Sequence, residues 1–211
     1  MQAYLLFDAA LLAGTKELSE LLEQPELIAL YGDLGPGALE VGPLLIATSR
    51  VQELAQNLVV RRGAKERWAC SQLITRARLE DLVEHLHGLR LVRARDDREF
   101  YFRYADGRAF QAMWQVLSDE QRVSLMGPIQ SWQCVALDGT ASRRVPPPIE
   151  LTAEQARVPL HLAPLNGMRC WASREWRSSS RQQNFWRAQH SRPARETTWH
   201  VATGRGKPIA S

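Results

Sequence analysis

The sequence predicts an α/β fold: a layered domain with a mixed, mostly short-stranded sheet flanked by helices, followed by a poorly ordered C-terminal tail. An α+β arrangement of the same elements is the alternative. Three observations lead there. Short apolar runs alternate with helical periods through residues 1–137, the order that layers helices on a sheet. A turn signal at Arg95-Asp96-Asp97-Arg98 separates two strand-like runs, which argues against a purely parallel sheet. From Pro164 onward the apolar period disappears, and residues 164–211 combine four of the seven tryptophans with many Arg and Ser and few aliphatic residues.

Taken in order, residues 3–7 (Ala-Tyr-Leu-Leu-Phe) form a short apolar run and read as a buried strand. A helix follows, with Thr15 as its N-cap, Leu18, Leu21 and Leu22 on one face, and Pro25 as its limit. Residues 27–31 read as a second strand, Gly32 to Gly37 as a loop, and Pro43 to Ala47 as a third strand. Val51, Leu54, Ala55, Leu58 and Val59 keep the helical spacing, with Ser49 placed to cap the start and Gly63 to end it. Trp68 to Ile74 reads as a strand. A helix then follows Thr75, with Leu79, Leu82, Val83 and Leu86 on one face and Gly88 as its stop. Leu89 to Val92 and the aromatic run Glu99 to Tyr104 read as strands on either side of the turn at 95–98. Phe110 to Leu117 is helical by pattern. Ser118-Asp119-Glu120-Gln121 spells a capping box for a helix that stops at Gly127-Pro128, and Ile129 to Leu137 reads as a strand.

The expected organisation is therefore a domain over 1–137, a Pro-rich linker with a broken helix over 138–163, and a basic tail over 164–211. Thr152-Ala153-Glu154-Gln155 would start a helix, but Pro159 falls just beyond its first turn and breaks it.

Composition narrows the function classes. The chain has 211 residues, 45% hydrophobic and 24% charged, enough apolar material for a real core. No run approaches the roughly 18–20 apolar residues of a membrane span. Asp8 cuts the first apolar run and no basic leader precedes it, so a cytoplasmic protein is expected. Three scattered cysteines (Cys70, Cys134, Cys170) fit free thiols better than a disulfide framework or a zinc site. The net charge of +4 is uneven: the tail holds nine basic and two acidic residues, and the remainder 18 basic and 21 acidic.

Motifs that carry chemistry are sparse. The chain has no G-x-S-x-G elbow, H-E-x-x-H, G-x-G-x-x-G or Gly-Lys-Ser/Thr phosphate loop, and no metal or cofactor is expected. His85 and His87 lie two apart on a helix and so point to different faces, which suits the helix C-terminus rather than a shared metal. Asp8, Arg103, Asp106 and Arg108 lie in apolar or aromatic company. There charges must pair, as a structural ion network, a docking latch or an acid/base site. An enzyme reading would use Asp8, Asp106 and His85 as a small hydrolase-like centre. A nucleic-acid reading would use the Arg and Trp residues of the tail.

The ordered motifs resemble the DUF4123 family, a domain of unknown function found in type VI secretion effector chaperones and adaptors. The resemblance rests on Tyr4-Leu5-Leu6-Phe7-Asp8-Ala9-Ala10, Gly42-Pro43-Leu44-Leu45, His85-Leu86-His87, Phe102-Arg103-Tyr104-Ala105-Asp106-Gly107-Arg108, Gly127-Pro128-Ile129-Gln130-Ser131-Trp132 and Leu151-Thr152-Ala153-Glu154-Gln155. Gly107 stands where the family usually has Pro, and His87 where it usually has Arg. The resemblance marks Asp8, Pro43, His85, Arg103, Asp106, Arg108, Gly127, Pro128 and Trp132 as motif positions. It implies a non-enzymatic chaperone or adaptor that binds a secreted effector and the C-terminal region of a VgrG-type spike. Phe100, Phe102 and Tyr104 are the expected partner-binding aromatics. The family's C-terminal part is usually a Leu/Ala-rich helical segment, unlike the tail here. The abrupt change after an intact capping box motivates the hypothesis of a reading-frame change near residue 157. Translating the gene's other frames beyond that codon tests it, and the absence of any Leu/Ala-rich helical sequence there would refute it.

Overall fold

The computed structural model describes residues 1–60, 65–93, 99–136 and 138–149. Its elements run β1 (Gln2–Asp8), α1 (Lys16–Leu22), β2 (Ile28–Ala29), β3 (Pro43–Ala47), α2 (Thr48–Val60), β4 (Cys70–Thr75), α3 (Leu79–Gly88), β5 (Leu91–Arg93), β6 (Glu99–Tyr101), α4 (Gly107–Val116), α5 (Asp119–Met126), β7 (Ile129–Val135) and β8 (Ala141–Arg144). Short 3-10 turns lie at Gly32–Leu34, Pro36–Glu40 and Lys65–Trp68. Six strands form one sheet in the order β2-β3-β1-β4-β7-β8, and β5 and β6 form a separate two-stranded ribbon.

The α/β class holds, but every described pairing is antiparallel, where a mixed sheet was expected. The reason is where α2 delivers the chain. The order β3-α2-β4 has the form of a parallel crossover, yet β1 lies between β3 and β4 and runs against both. The parallel pair is thus present but never adjacent.

β1 occupies the middle of the sheet because both its faces are apolar. Tyr4, Leu5, Leu6 and Phe7 are all buried, the pattern of a strand covered on both sides. Leu5 and Phe7 face a core built with Leu44, Ile46, Leu18 and Leu58. Leu6 and its cross-strand partner Leu45 point to the other face, as do Leu73 and Trp132 further along the sheet, and there Trp132 stacks on Phe110 of α4.

Local signals behave as their chemistry dictates. The Thr15 hydroxyl accepts from the Leu18 amide and starts α1. Ser118 and Gln121 close the capping box of α5 reciprocally. Gly127 takes φ +49°, turning the chain out of α5 and into β7.

Several boundaries move. Leu22 of α1 is exposed, so only Leu18 and Leu21 anchor that helix. The expected strand over 27–31 shrinks to two residues. Thr48 follows β3 directly into α2 and Val51 breaks the helical geometry (φ −138°, ψ 30°), which displaces Ser49 from the capping role. Trp68 closes a 3-10 turn instead of opening β4. Gly88 stays inside α3, which Leu89 terminates. Phe102 to Tyr104 leave β6, and α4 starts at Gly107, three residues earlier than the pattern implied, because Asp106 caps it. Residues 141–144, read as linker, form β8, since Gly139 (φ +88°) allows the turn that folds them back on β7. Gly63, the turn at 95–98, Leu137, the capping box at 152–155, Cys170 and the basic tail lie outside the described residues.

Candidate functional site

The motif charges meet where β1 ends. Asp8 is the last residue of β1 and is 3% exposed. Its carboxylate accepts from Arg103 Nη2 at 3.0 and 2.8 Å and from the Leu11 amide at 3.1 Å. Arg103 Nη2 also lies 3.8 Å from Asp106 Oδ2. Asp106, 1% exposed, accepts from Arg108 Nε at 3.0 Å and Arg108 Nη2 at 2.9 Å. The same carboxylate accepts from the Arg108 amide at 3.0 Å and so caps α4. A negative group there also complements the helix dipole.

The result is an alternating chain, Asp8–Arg103–Asp106–Arg108, neutral overall, in which each carboxylate meets a guanidinium and a backbone amide. It ties the end of β1 to a stretch 95 residues further along, the segment after β6 that runs into the start of α4. Burial is the largest influence on the Asp8 carboxyl and pushes its pKa up. Arg103 pulls against that push and Asp106 adds to it.

Trp68 extends the cluster, and the sequence reading did not place it here. The guanidinium carbons of Arg67 and Arg108 lie 4.2 and 5.2 Å from the centre of its ring. Its indole Nε1 donates to the Ala136 carbonyl at 3.3 Å, joining the turn before β4 to the end of β7. Gly107 fits the same seam: a β-carbon there would sit 3.3 Å from the Trp68 carbonyl oxygen and 3.5 Å from the Cys134 β-carbon. Gln111, one turn further along α4, is buried and donates to the Val135 carbonyl at 2.7 Å. No sequence signal marks it, since its neighbours along the helical face are Gly107, Arg108, Trp114 and Gln115.

Two of the three aromatics expected to meet partners are core residues. Phe102 is 4% exposed and Tyr104 is fully buried. Tyr104 packs edge-on against Tyr31, Phe102 and Trp132, and Trp132 stacks on Phe110 with centroids 4.2 Å apart. Side chains locked in that cluster cannot also present a surface. Phe100, on β6, is the exposed one.

His85 belongs to a different part of the molecule. Its Nε2–H donates to the Leu125 carbonyl at 2.9 Å, which fixes the tautomer because a carbonyl can only accept. The ring lies against Gly127, and burial pushes its pKa down. Next in sequence, the Pro128 carbonyl accepts from the Thr75 hydroxyl at 2.7 Å, and Thr75 pairs with Gln2 at the start of β1. Asp8 is at the other end of that strand, six residues or about 20 Å away. The hydrolase-like centre of Asp8, Asp106 and His85 is therefore not assembled: Arg103 brings the two carboxylates together, and the imidazole is remote. Pro43 stands opposite Asp8 at the first position of β3, where its missing N–H is tolerated.

Cys70 and Cys134 are buried free thiols, with pKa values pushed by burial to about 12 and about 11. Among the described residues no group of three His, Cys, Asp or Glu side chains could hold a metal ion. Among the same residues no helix is long and apolar enough to cross a membrane.

Residues 3–124 match the family model described as "Domain of unknown function (DUF4123)". The match spans the whole charged cluster and stops short of Gly127 and Trp132. No curated protein and no solved structure matches the chain.

Proposed function

The chain belongs to the DUF4123 family, and on that membership we propose that it is a cytoplasmic adaptor that binds a type VI secretion effector and helps load it onto a VgrG-type spike. The observation that carries the proposal is the condition of the family's charged motif. Asp8, Arg103, Asp106 and Arg108 satisfy one another inside the domain and hold its pieces in register. A charged motif used in this way fits a rigid recognition body. A general acid or base would instead need to be within reach of a substrate proton.

Phe100 is the motif-adjacent aromatic that remains at the surface, and it is the first candidate for partner contact. The test is capture of named partners. The tagged full-length chain is co-expressed with the product of the neighbouring toxin gene and with the C-terminal region of the adjacent spike. Stable co-elution of the toxin is expected, with Phe100→Ser reducing recovery at unchanged Tm. A folded chain that captures neither protein would count decisively against the adaptor role.

A further inference from the structure

We propose that the open edge of β8 takes an added strand from a partner protein, an extended acidic segment in which two adjacent carboxylates meet Arg143 and Arg144. The proposal rests on the adaptor reading for the origin of that segment, but its test uses synthetic peptides. Failure at this edge is therefore distinguishable from failure to capture an effector.

The edge follows from the topology. β8 is the last strand of the six-stranded sheet and pairs with β7 along one side. Along its other side no described residue bonds to its backbone. In an antiparallel ladder alternate residues turn their N–H and C=O away from the neighbour, so β8 keeps donors and acceptors for one more strand. The opposite end of the sheet offers less, since β2 has only two residues. Pro146, Pro147 and Pro148 lack the N–H that a ladder needs and close the edge beyond Val145. The open stretch is therefore Ala141 to Val145.

Charge points to the occupant. Side chains of β8 alternate between the two faces of the sheet. Arg144 stands opposite Trp132, on the α4 face, with its guanidinium carbon 5.8 Å from the centre of the Trp114 ring. Arg143 stands opposite Gln133, on the other face, and its Nε donates to the Ser131 hydroxyl at 2.8 Å. Neither guanidinium meets a carboxylate among the described residues. Asp119 is engaged elsewhere: it holds Arg122, which lies over the same Trp114 ring, at 2.8 Å. Arg144 is half-buried, so it has lost part of its hydration without gaining a counter-charge.

The alternation also sets the pattern of the partner. A strand laid along β8 sends successive side chains to opposite faces. Adjacent acidic residues, and not residues two apart, therefore place one carboxylate beside each arginine as a cross-strand pair. Val145, 52% exposed, continues the Arg143 face and suits an apolar residue beside the acidic pair. The same two charges disfavour the other occupants. A second copy would bring its own Arg143 and Arg144 to the edge, like against like. Residues 164–211 of the chain hold nine basic and two acidic residues, the wrong sign as well.

The experiment titrates the full-length chain with blocked eight-residue peptides and reads calorimetry together with backbone and indole NMR shifts. The first peptide is Thr-Thr-Val-Glu-Glu-Thr-Ser-Thr. Saturable binding is expected, with shifts in β7, β8 and the Trp114 indole. Binding should weaken at least tenfold for the Gln-Gln analogue and for an isomer with the two Glu separated by one residue. Two further analogues carry N-methyl groups on the odd or on the even residues. One should lose binding and the other keep it, because a strand turns only alternate amides toward its neighbour. The double variant Arg143→Glu, Arg144→Glu should bind the Lys-Lys analogue in place of the acidic peptide. Absence of saturable binding, equal binding by the separated-Glu isomer, or equal effects of the two N-methyl patterns overturns the proposal. So does a single-stranded oligonucleotide that produces the same β8 shifts, or a dimer in sedimentation that the acidic peptide dissociates, since either would assign the edge to a different occupant.

Discussion

Replacing Arg103 by Met keeps the aliphatic stem and removes the guanidinium, leaving the Asp8 carboxylate, 3% exposed in the wild type, with the Leu11 amide donating to it at 3.1 Å. Breaking a buried pair from one side costs about 3–5 kcal/mol. The Arg103 side chain is 27% exposed, so water reaches the vacated position, and the lower end of that range, about 3 kcal/mol, applies. For a chain of this size that lowers Tm by about 6–12 °C.

The pH dependence carries the sign. Without Arg103, only the Leu11 amide still works against the burial that already pushes the Asp8 pKa up, so the folded value rises further above the unfolded value of about 3.9. The folded state then binds the proton more tightly than the unfolded state. The contribution of that group is fully present below the unfolded pKa and is lost as pH rises through the folded one. The penalty of Arg103→Met should be largest near pH 8 and should shrink toward pH 4. Adding Asp8→Asn should recover a large part of it at pH 8. Urea denaturation of the wild type, both single variants and the double variant at pH 4, 6 and 8 measures all of this. A loss below about 1 kcal/mol, typical of a surface pair, or a penalty equal at pH 4 and pH 8, would refute the reasoning.

Two further outcomes follow from the His85–Gly127 contact. A β-carbon at Gly127 would lie 2.3 to 2.7 Å from atoms of the His85 ring, at φ +49°. Gly127→Ala should therefore lose about 1–3 kcal/mol from the backbone alone and more from the clash, and the excess should vanish in a His85→Ala background when thermal melts are compared. Burial holds the His85 pKa below 6.5, so the unfolded chain binds the proton more readily. Stability from this group is present above pH 6.5 and is lost as pH falls through the folded pKa. His85→Gln, which keeps a donor for the Leu125 carbonyl, should flatten the Tm profile between pH 7.5 and 5.5, and a slope equal to wild type would exclude His85 as its source.

Much of the fold was legible because it rests on short-range chemistry. Thr15, the Ser118–Gln121 box and Gly127 act within a few residues of themselves, and each does what its side chain or backbone freedom allows. The four-residue apolar run of β1 announced a strand covered on both faces. The charged cluster was half legible. Asp8 and Arg103 lie in apolar or aromatic surroundings that force charges to pair, but nothing near either names its partner 95 residues away. The aromatics of 100–104 misled for a related reason. A strand-like pattern gives alternation without saying which face is inside, and leaving β6 after Tyr101 turned Phe102 and Tyr104 both inward.

The sequence by itself determined that helices layer on a sheet, where α1 and α5 begin and end, and which family the motifs resemble, because propensity, capping and apolar period are properties of neighbouring residues. Only the tertiary structure decided that β1 separates β3 from β4, that β8 returns to the sheet, and that His85 belongs with the segment at the Gln2 end of β1 and not with Asp8 at its other end. Those features depend on which distant segments share the burial of one face, and a local pattern is the same whichever partner the chain finds.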